Sequence, residues 1–194
     1  GLMVYDRPAD TFRYRSFKIS AAVQKPVIAE GLIWIPLPRV NGLTATDYKG
    51  TTSVNDDEVF VVGVNNGLPS NSEGVLSVAI DKTGDAWIGT DNGLRVLSSA
   101  TSNIRNSPGV EPVIIEENGV GEELFRDSGV LQIEVDSGNQ KWVSINGGGV
   151  FYLSSTGEQT IRHFTKENSP LPNNSVTDIK VDNKTGKVYF VTLD

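Results

Sequence analysis

Three aspartates are the first candidates for chemistry in this chain, because they recur at equivalent places. Asp81, Asp136 and Asp182 each follow a short β-rich run and precede a glycine. Two carboxylates can act together as general acid and base, but they must lie about 5 to 10 Å apart. Equivalent turns in successive repeats keep their aspartates apart, so we expect these side chains to cap turns instead.

The chain has one histidine and no cysteine, which removes several kinds of catalytic and metal site. Disulfides, thiolate metal sites, Cys–His dyads and histidine-rich zinc sites are excluded within the chain. A Ser-His-Asp triad would depend on His163 alone. His163 lies between Arg162 and Phe164 on a predicted outer strand, where we expect it to be an exposed or cross-strand residue.

Two further patterns resemble ligand-binding loops but lack what those loops need. The glycine-rich stretch 146–149 is followed by a predicted strand, whereas a phosphate cradle needs a following helix N-terminus. The turns at 81–85 and 182–186 are too short and too poor in carboxylates for calcium. The sequence therefore predicts no catalytic residue, no cofactor-binding residue, no cofactor and no metal ligand.

Four aromatic residues recur at nearly regular spacing and define a repeat. Trp34, Trp87, Trp142 and Tyr189 could stack on sugars, but equivalent places in a repeat favour packing between repeating units. Each repeat carries one strand before an Asp-containing turn, a second strand with the aromatic residue, and in two copies a third strand after a Gly-containing turn. The predicted first strands are 75–80, 130–135 and 176–181, the second strands 86–90, 141–145 and 188–192, and the third strands begin at Gly93 and Gly149.

A fourth strand closes each unit, at 59–62 and 160–164, before a loop with the pattern Leu-Pro-x-Asn. Four-stranded units of roughly 40 to 55 residues with an aromatic signature are typical of β-propeller blades. We therefore predict an all-β fold, a β-propeller segment of four-stranded antiparallel blades with about three complete blades plus two half-blades. The predicted blades are 1–19 (partial), 20–66, 67–116, 117–166 and 167–194 (partial), so the segment starts and ends in mid-blade. The half-blades could close a small ring of about four blades, but an arc of a larger ring is favoured.

The longest departure from the repeat is the segment 98–128. Residues Val113 to Ile115 are a plausible outer strand. Glu116, Glu117, Glu122 and Glu123 follow, and such an acidic run is expected to be a solvated surface loop.

The composition of the chain limits the classes of partner that it can bind. The chain has 17 basic and 24 acidic residues and a net charge of -7, and no local basic patch is evident. A nucleic-acid backbone would be repelled by this balance, so nucleic acid is an unexpected partner. No run approaches the ~18 apolar residues of a membrane-spanning helix, and no signal peptide is present.

Two stretches resemble the two-component regulator propeller repeat. In the first, 67–94, Trp87-Ile88-Gly89-Thr90 with Gly93-Leu94 matches the family pattern Trp-Ile-Gly-Thr-x-x-Gly-Leu fully. The second is 168–190. The repeats at Trp34 and Trp142 depart from the pattern at the Gly-Thr step, where they read Pro-Leu and Ser-Ile.

The resemblance implies an exported bacterial protein, typically of Bacteroidetes, located in the periplasm or on the outer cell surface of a Gram-negative bacterium. The stretch 149–171 and the acidic insertion are more similar to the PorZ-like group of type IX secretion. The resemblance thus implies a non-catalytic scaffold or recognition module, with protein partners of a secretion or surface complex, or a surface glycan. The alternatives are the periplasmic glycan-sensing propeller of a hybrid two-component histidine kinase and, second, a propeller hydrolase or lyase.

Overall fold

Antiparallel strands are the main secondary structure in the computed structural model, which describes residues 2–15, 23–51, 53–106, 108–117 and 119–193. One short α-helix, α1 (Ala100–Asn106), and a single turn of 3-10 helix at Val64–Asn66 interrupt the strands. The strands are β1 Leu2–Asp6, β2 Thr11–Arg15, β3 Val27–Ala29, β4 Leu32–Leu37, β5 Gly42–Asp47, β6 Glu58–Val62, β7 Val75–Ile80, β8 Ala86–Thr90, β9 Gly93–Leu97, β10 Ile114–Glu117, β11 Val120–Glu123, β12 Val130–Val135, β13 Lys141–Ile145, β14 Gly149–Leu153, β15 Thr160–Phe164, β16 Val176–Asp182 and β17 Lys187–Thr192.

The strands form consecutive antiparallel blades of a β-propeller. Two sheets have four strands each in chain order, β3 to β6 and β12 to β15, and between them lies the three-stranded sheet β7-β8-β9. In the described residues, β1 pairs only with β2 and β16 only with β17, so these two pairs are separate sheets. The predicted β-propeller segment of antiparallel blades is confirmed. The predicted change of blade near residues 19–20, and the residues Gly1 and Asp194, lie outside the described residues.

The innermost strand of three blades carries the same β-bulge. The register of β7 shifts between Val75 and Ser77, that of β12 between Val130 and Gln132, and that of β16 between Val176 and Asp178. A bulge leaves one residue unpaired and turns the strand locally. The residues left unpaired are Leu76, Leu131 and Thr177, one at the same place in each blade.

The core lies between blades. One cluster joins the β3–β6 blade to the β7–β9 blade around Trp34, and a second joins the β7–β9 blade to the β12–β15 blade around Trp87. A third cluster joins Val150 to Val176 and Ile179 of β16, with Trp142 packed against it. β4 is buried at every position. Leu32 and Trp34 on one of its faces belong to the first cluster, and Ile33, Ile35 and Leu37 on the other face form a separate cluster with Tyr48.

The segment 98–128 differs from its prediction as an outer strand followed by a solvated acidic loop. Ile114 and Ile115 belong to β10, which pairs with β11 as a separate hairpin, and the outer position of the central blade is held by a single bridge between Val96 and Glu111. The segment also contributes buried apolar side chains to two cores, and Glu123 forms an ion pair with Arg95 on β9. The outer-strand prediction for 113–115 is therefore wrong, because the residues that follow Val113 pair with each other.

One turn residue also differs from expectation. Gly84 and Gly186 have the positive φ expected of them, but in the β12–β13 turn the residue with positive φ is Asn139, not Gly138. Asparagine tolerates the left-handed region better than most residues, so the same turn shape is reached with a different sequence.

Candidate functional site

The three repeated aspartates cap their own turns. Asp81 Oδ1 accepts hydrogen bonds from the N–H groups of Thr83 and Asp85, at 2.8 and 3.1 Å. Asp136 Oδ1 accepts from Gly138 and Gln140 at 2.9 and 3.0 Å, and Asp182 Oδ1 accepts from Lys184 at 2.9 Å. Each carboxylate lies in the turn of a different blade. No hydrogen bond connects any two of the three, so the structure does not bring them together as an acid and base.

Asp81 has a second role that its sequence position did not indicate. Its Oδ2 accepts a hydrogen bond from Trp87 Nε1 at 3.1 Å and forms an ion pair of 2.8 Å with Lys141 Nζ on the next blade. The Lys141 side chain is 0% exposed, and its ammonium also donates to the Ser155 carbonyl and lies 4.4 Å from the centre of the Trp87 ring. Asp81, Trp87 and Lys141 therefore form a buried polar contact between two blades, which we call the inter-blade clamp.

The surroundings of Asp81 keep its carboxylate charged. Burial, the largest influence, acts to raise the pKa of Asp81, but the hydrogen bonds from Lys141, Thr83 and the Asp85 N–H together hold it well below its ordinary value. A carboxyl group with such a low pKa is a poor proton donor near neutral pH. The clamp is therefore suited to holding two blades together.

Sequence reasoning missed Lys141, although a signal was present. In β13, Lys141 shares one face of the strand with Val143 and Ile145, both of which are buried. A lysine at an apolar position of an alternating strand indicates either an exposed strand end or a buried ion pair. The partner could not be found from spacing, because Asp81 is 60 residues earlier and on another blade.

The corresponding position in the next blade is built differently. Asp136 Oδ2 accepts from Trp142 Nε1 at 3.4 Å and from the Tyr152 hydroxyl at 3.1 Å. Burial, followed by the hydrogen bond to Asp136, raises the pKa of Tyr152. Tyr152 also stacks on Trp142, with ring centres 4.2 Å apart. The aspartate–tryptophan contact is thus repeated, while the third partner changes from a lysine of the next blade to a tyrosine of the same blade.

Trp34 lacks the aspartate partner that Trp87 and Trp142 have. Continuing the register of β3 and β4 places Ala29 where the other blades have Asp81 and Asp136. Trp34 is fully buried, and its Nε1 has no hydrogen-bond partner in the part of the chain that the structure describes. An unpaired buried donor costs about 1 to 3 kcal/mol.

The aromatic residues of the repeat pack between blades, with one exception. Trp34 and Trp87 are buried, and Trp142 is half-buried against Tyr152, Phe164 and Phe190. Tyr189 is 55% exposed, because it lies on the face of β17 that points away from the preceding blade. The prediction of inter-blade packing is confirmed for the tryptophans and does not extend to Tyr189.

The remaining candidates of the sequence lie at the surface or in turns. His163 is exposed on β15, stacks on Phe151 with ring centres 3.8 Å apart, and places Nε2 2.6 Å from the Gly148 carbonyl oxygen. Residues 146–148 form the tight turn between β13 and β14. In the described ranges, no three His, Asp or Glu side chains are grouped so as to hold a metal ion.

A groove of about 620 Å³ is lined by the innermost strands of four blades. We call it the axial groove. The bulge residues Leu76, Leu131 and Thr177 all line it, so the three equivalent bulges turn their side chains toward one space. Gln24 and Lys25, which precede β3, form its fourth side.

Charges inside the axial groove are largely neutralised by each other. Lys180 Nζ lies 2.7 Å from Glu134 Oε1, and Gln132 Nε2 donates to Asp178 Oδ1 at 3.0 Å, so both contacts join β12 to β16. The groove combines apolar bulge residues with polar side chains that can donate and accept hydrogen bonds. Such a surface can bind a ligand or a partner segment.

A second cleft, of about 600 Å³, lies above the inter-blade clamp. It is lined by Asp85 and Glu111 of the central blade and by Glu158 of the next blade. The indole of Trp87 forms its floor but is only 3% exposed, so the ring is not available as a stacking platform.

None of the helices in the part of the chain that the structure describes is long and apolar enough to cross a membrane.

Neither a protein-family model nor a curated protein sequence matches the chain. Several solved structures do match the chain. PorZ of Porphyromonas gingivalis, an essential bacterial surface component of the type-IX secretion system, matches 98% of this chain with a TM-score of 0.83 and 23% identity. This chain spans 28% of that protein.

Two other solved structures share the fold at lower similarity. The extracellular domain of a putative hybrid two-component system from B. thetaiotaomicron matches 88% of this chain and 22% of its own length, with a TM-score of 0.58 and 18% identity. A putative gluconolactonase matches 95% of this chain and 61% of its own length, with a TM-score of 0.50 and 14% identity. The two kinds of protein that the repeat resembles, secretion component and sensor, are therefore both found among proteins with this fold.

Proposed function

We propose that this propeller segment is a non-catalytic recognition or scaffold module of a type IX secretion or cell-surface attachment complex in a Gram-negative bacterium. The observation that carries the proposal is the match of 98% of the chain to a surface component of that secretion system at a TM-score of 0.83, against 0.58 for the sensor domain. The partners are proteins of such a complex, in the periplasm or at the outer cell surface.

The chemistry of the chain supports binding. The carboxylates that recur in its repeats are used as turn caps, and Asp81 is neutralised by Lys141. The axial groove offers hydrogen-bonding groups from neighbouring blades, and the hydrogen bond from Gln132 to Asp178 links two of these blades. A concave surface with a few polar groups among apolar side chains can orient a bound partner.

A pull-down with the purified chain tests the proposal directly. Outer-membrane extract from a Bacteroidetes species with an active type IX system is passed over the immobilised chain, and retained proteins are identified by mass spectrometry. We expect enrichment of type IX components, and a loss of that enrichment with Thr177→Arg, which fills the axial groove with a larger side chain. Thr160→Arg, at an exposed position on β15, is the matched control. Equal retention by wild type and an unrelated propeller contradicts the proposal.

The sensor function is the alternative favoured by the second structural match. A glycan array with the same protein distinguishes the two functions, because a sensor binds a defined oligosaccharide saturably without secretion proteins. Sequencing the gene on either side of this segment gives an independent answer. A kinase and response-regulator region in the same reading frame would exclude the secretion function.

The enzyme alternative is tested by turnover. The gluconolactonase match is limited to the fold at 14% identity, so lactone, glycoside and polysaccharide lyase substrates are all screened. Reproducible turnover that is abolished by replacing one carboxylate of the cleft, such as Glu111→Gln, would establish an enzyme and overturn the non-catalytic proposal.

A further inference from the structure

The cleft above the inter-blade clamp has one wall that does not belong to the repeat. At its single bridge to Val96, Glu111 is the last residue that pairs with the central blade, and the chain then turns into the β10–β11 hairpin. The departing segment 111–114 forms one wall of the cleft, and the β14–β15 turn of the next blade forms the other. The Arg95–Glu123 ion pair joins β11 to β9, so the hairpin that continues the first wall is held against the blade.

The second wall depends on a close approach of the β14–β15 turn to Trp87. Gly157 in this turn has a positive φ of 79°, and a Cβ at this position would lie 2.8 Å from a carbon of the Trp87 ring. Glycine therefore allows the turn to lie directly on the indole. The flanking residues Thr156 and Glu158 are exposed and line the cleft. Side chains of two adjacent blades thus face each other across about 600 Å³.

The charge of the cleft is negative and uncompensated. Asp85, Glu111 and Glu158 line it, and none of the three forms an ion pair in the part of the chain that the structure describes. The ammonium of Lys141 below the floor is already neutralised by Asp81. Among the described residues, no lysine or arginine lines the cleft. A cleft lined by one sign of charge between low-dielectric walls focuses its field and attracts ions of the opposite sign.

The first wall adds an apolar surface beside these carboxylates. Ile114 is 51% exposed, and Pro112 lies near it in the same wall. A hydrated metal ion would make no use of this surface, and no group of acidic side chains in the described ranges is arranged to hold one. A lysine or arginine side chain would use both features, because its methylene stem packs on apolar groups while its charged head reaches the carboxylates.

We propose that this cleft binds a basic segment of a protein partner, with a cationic head at Glu111 and Glu158 and apolar neighbours on Ile114. Charge complementarity selects the cation, and the half-exposed isoleucine selects its apolar flank. Arginine suits the cleft best, because its five donors can serve more than one carboxylate. The cleft is separate from the axial groove, so the proposal holds for a secretion component and for a sensor alike.

Selection from a phage-displayed library of random peptides tests the proposal. The library is selected on the immobilised protein and, in parallel, on the double variant Glu111→Gln, Glu158→Gln. We expect wild type to enrich peptides with arginine or lysine beside apolar residues, and the double variant to lose that enrichment. Glu122→Gln removes a charge from the opposite face of the β10–β11 hairpin and should select as wild type does. Enrichment of neutral or acidic peptides, or no enrichment, overturns the proposal.

Nuclear magnetic resonance then locates the contact. The Trp87 indole forms the cleft floor, so its N–H signal reports on the cleft, while the signals of Trp34 and Trp142 are internal controls. A selected peptide should shift the Trp87 signal saturably. A copy with citrulline in place of arginine keeps the shape without the charge and should bind at least about fivefold more weakly. Equal binding of the two peptides, or shifts at Trp34 or Trp142 without one at Trp87, contradicts the proposal.

The apolar part of the contact has its own test at Ile114. Ile114→Ser should weaken binding of the selected peptide by about fivefold through lost apolar burial. Val120→Ser, at a valine that is 60% exposed on the opposite face of the hairpin, should leave it unchanged. If spermine binds the cleft as tightly as the peptide, the cleft recognises charge alone and the proposal fails. Thr177→Arg leaves the cleft intact, so failure of the axial groove and failure of this proposal give separate results.

Discussion

Lys141 is a charged side chain with no exposed surface, and its ammonium depends on Asp81 for compensation. Lys141→Met removes the cation and leaves the Asp81 carboxylate buried without its partner. Breaking one side of a buried ion pair costs about 3 to 5 kcal/mol. We expect a loss of this size in the free energy of unfolding, measured by urea denaturation. Asp81→Asn combined with Lys141→Met should recover part of it, and additive effects of the two changes would contradict a coupled pair.

The stability of the protein should depend on pH through the same aspartate. The pKa of Asp81 in the folded chain lies below its ordinary value of 3.8, so the folded state binds its proton less readily than the unfolded state. The resulting stabilisation is fully present above the ordinary pKa and is lost as the pH falls through the folded value. We expect the difference in unfolding free energy between wild type and Asp81→Asn to be constant from pH 7 to about 5 and to shrink below about 4. A difference that does not change with pH contradicts this role.

Ala29 offers a way to test the repeated aspartate–tryptophan contact by adding it. Ala29→Asp places a carboxylate at the position equivalent to Asp81, which accepts a hydrogen bond from Trp87 Nε1. Trp34 Nε1 is a buried donor that could make the same hydrogen bond. A satisfied hydrogen bond adds about 1 kcal/mol. We expect a stabilisation of that order in thermal or urea unfolding. The gain should vanish in a Trp34→Phe background, and a gain that persists there would assign it to the turn instead.

At the scale of elements, the insertion between β9 and β12 joins three blades. Arg105 of α1 pairs with Asp47 of β5, Glu111 bridges to Val96 in the central blade, and Phe125 packs edge-on against Phe151 of the next blade. Surface ion pairs of the kind that Arg105 makes contribute little, so the apolar contacts carry most of the attachment.

Ile104 in α1 tests whether apolar contacts attach the insertion to the blades. It is 2% exposed and packs with the core of the first two blades. Ile104→Ala should lower the unfolding free energy by about 2 to 5 kcal/mol, the usual range for a buried Ile or Leu to Ala change. Ser102→Ala, on the exposed side of the same helix, should change it by less than about 0.5 kcal/mol. If both variants behave alike in urea denaturation, α1 is not part of the core.

The strands could be predicted closely because their patterns are local. Alternation and the turn residues place β7, β8, β12, β13 and β15 at their observed bounds. The insertion could not be predicted in the same way, because Val113 to Ile115 has the composition of an outer strand and only the following turn at Gly119 directs it into a hairpin. The bulges at Leu76, Leu131 and Thr177 could not be predicted either, because each lies directly after the first paired residue of its strand, where too few residues precede it for a shift in the alternation to be seen. The axial groove that they line therefore became visible only in three dimensions.

At the scale of the whole molecule, stability is distributed between neighbouring blades. Three core clusters each join two adjacent sheets, so the β7–β9 and β12–β15 sheets are packed on both faces and the β16–β17 pair on one. The β1–β2 hairpin contributes to none of these clusters. Repeat architectures of this kind behave as sums of unit and nearest-neighbour terms. The β7–β9 and β12–β15 sheets should therefore be the most resistant to local opening, even though the outer strand of the first is reduced to one bridge.

Native-state hydrogen exchange measures directly how strongly each sheet resists local opening. We expect amides of β7, β8, β12 and β13 to exchange most slowly and those of β1, β2 and β17 fastest, because opening free energy follows the number of packed faces. Uniform exchange across all sheets would contradict this expectation and would mean that the blades unfold as one cooperative unit.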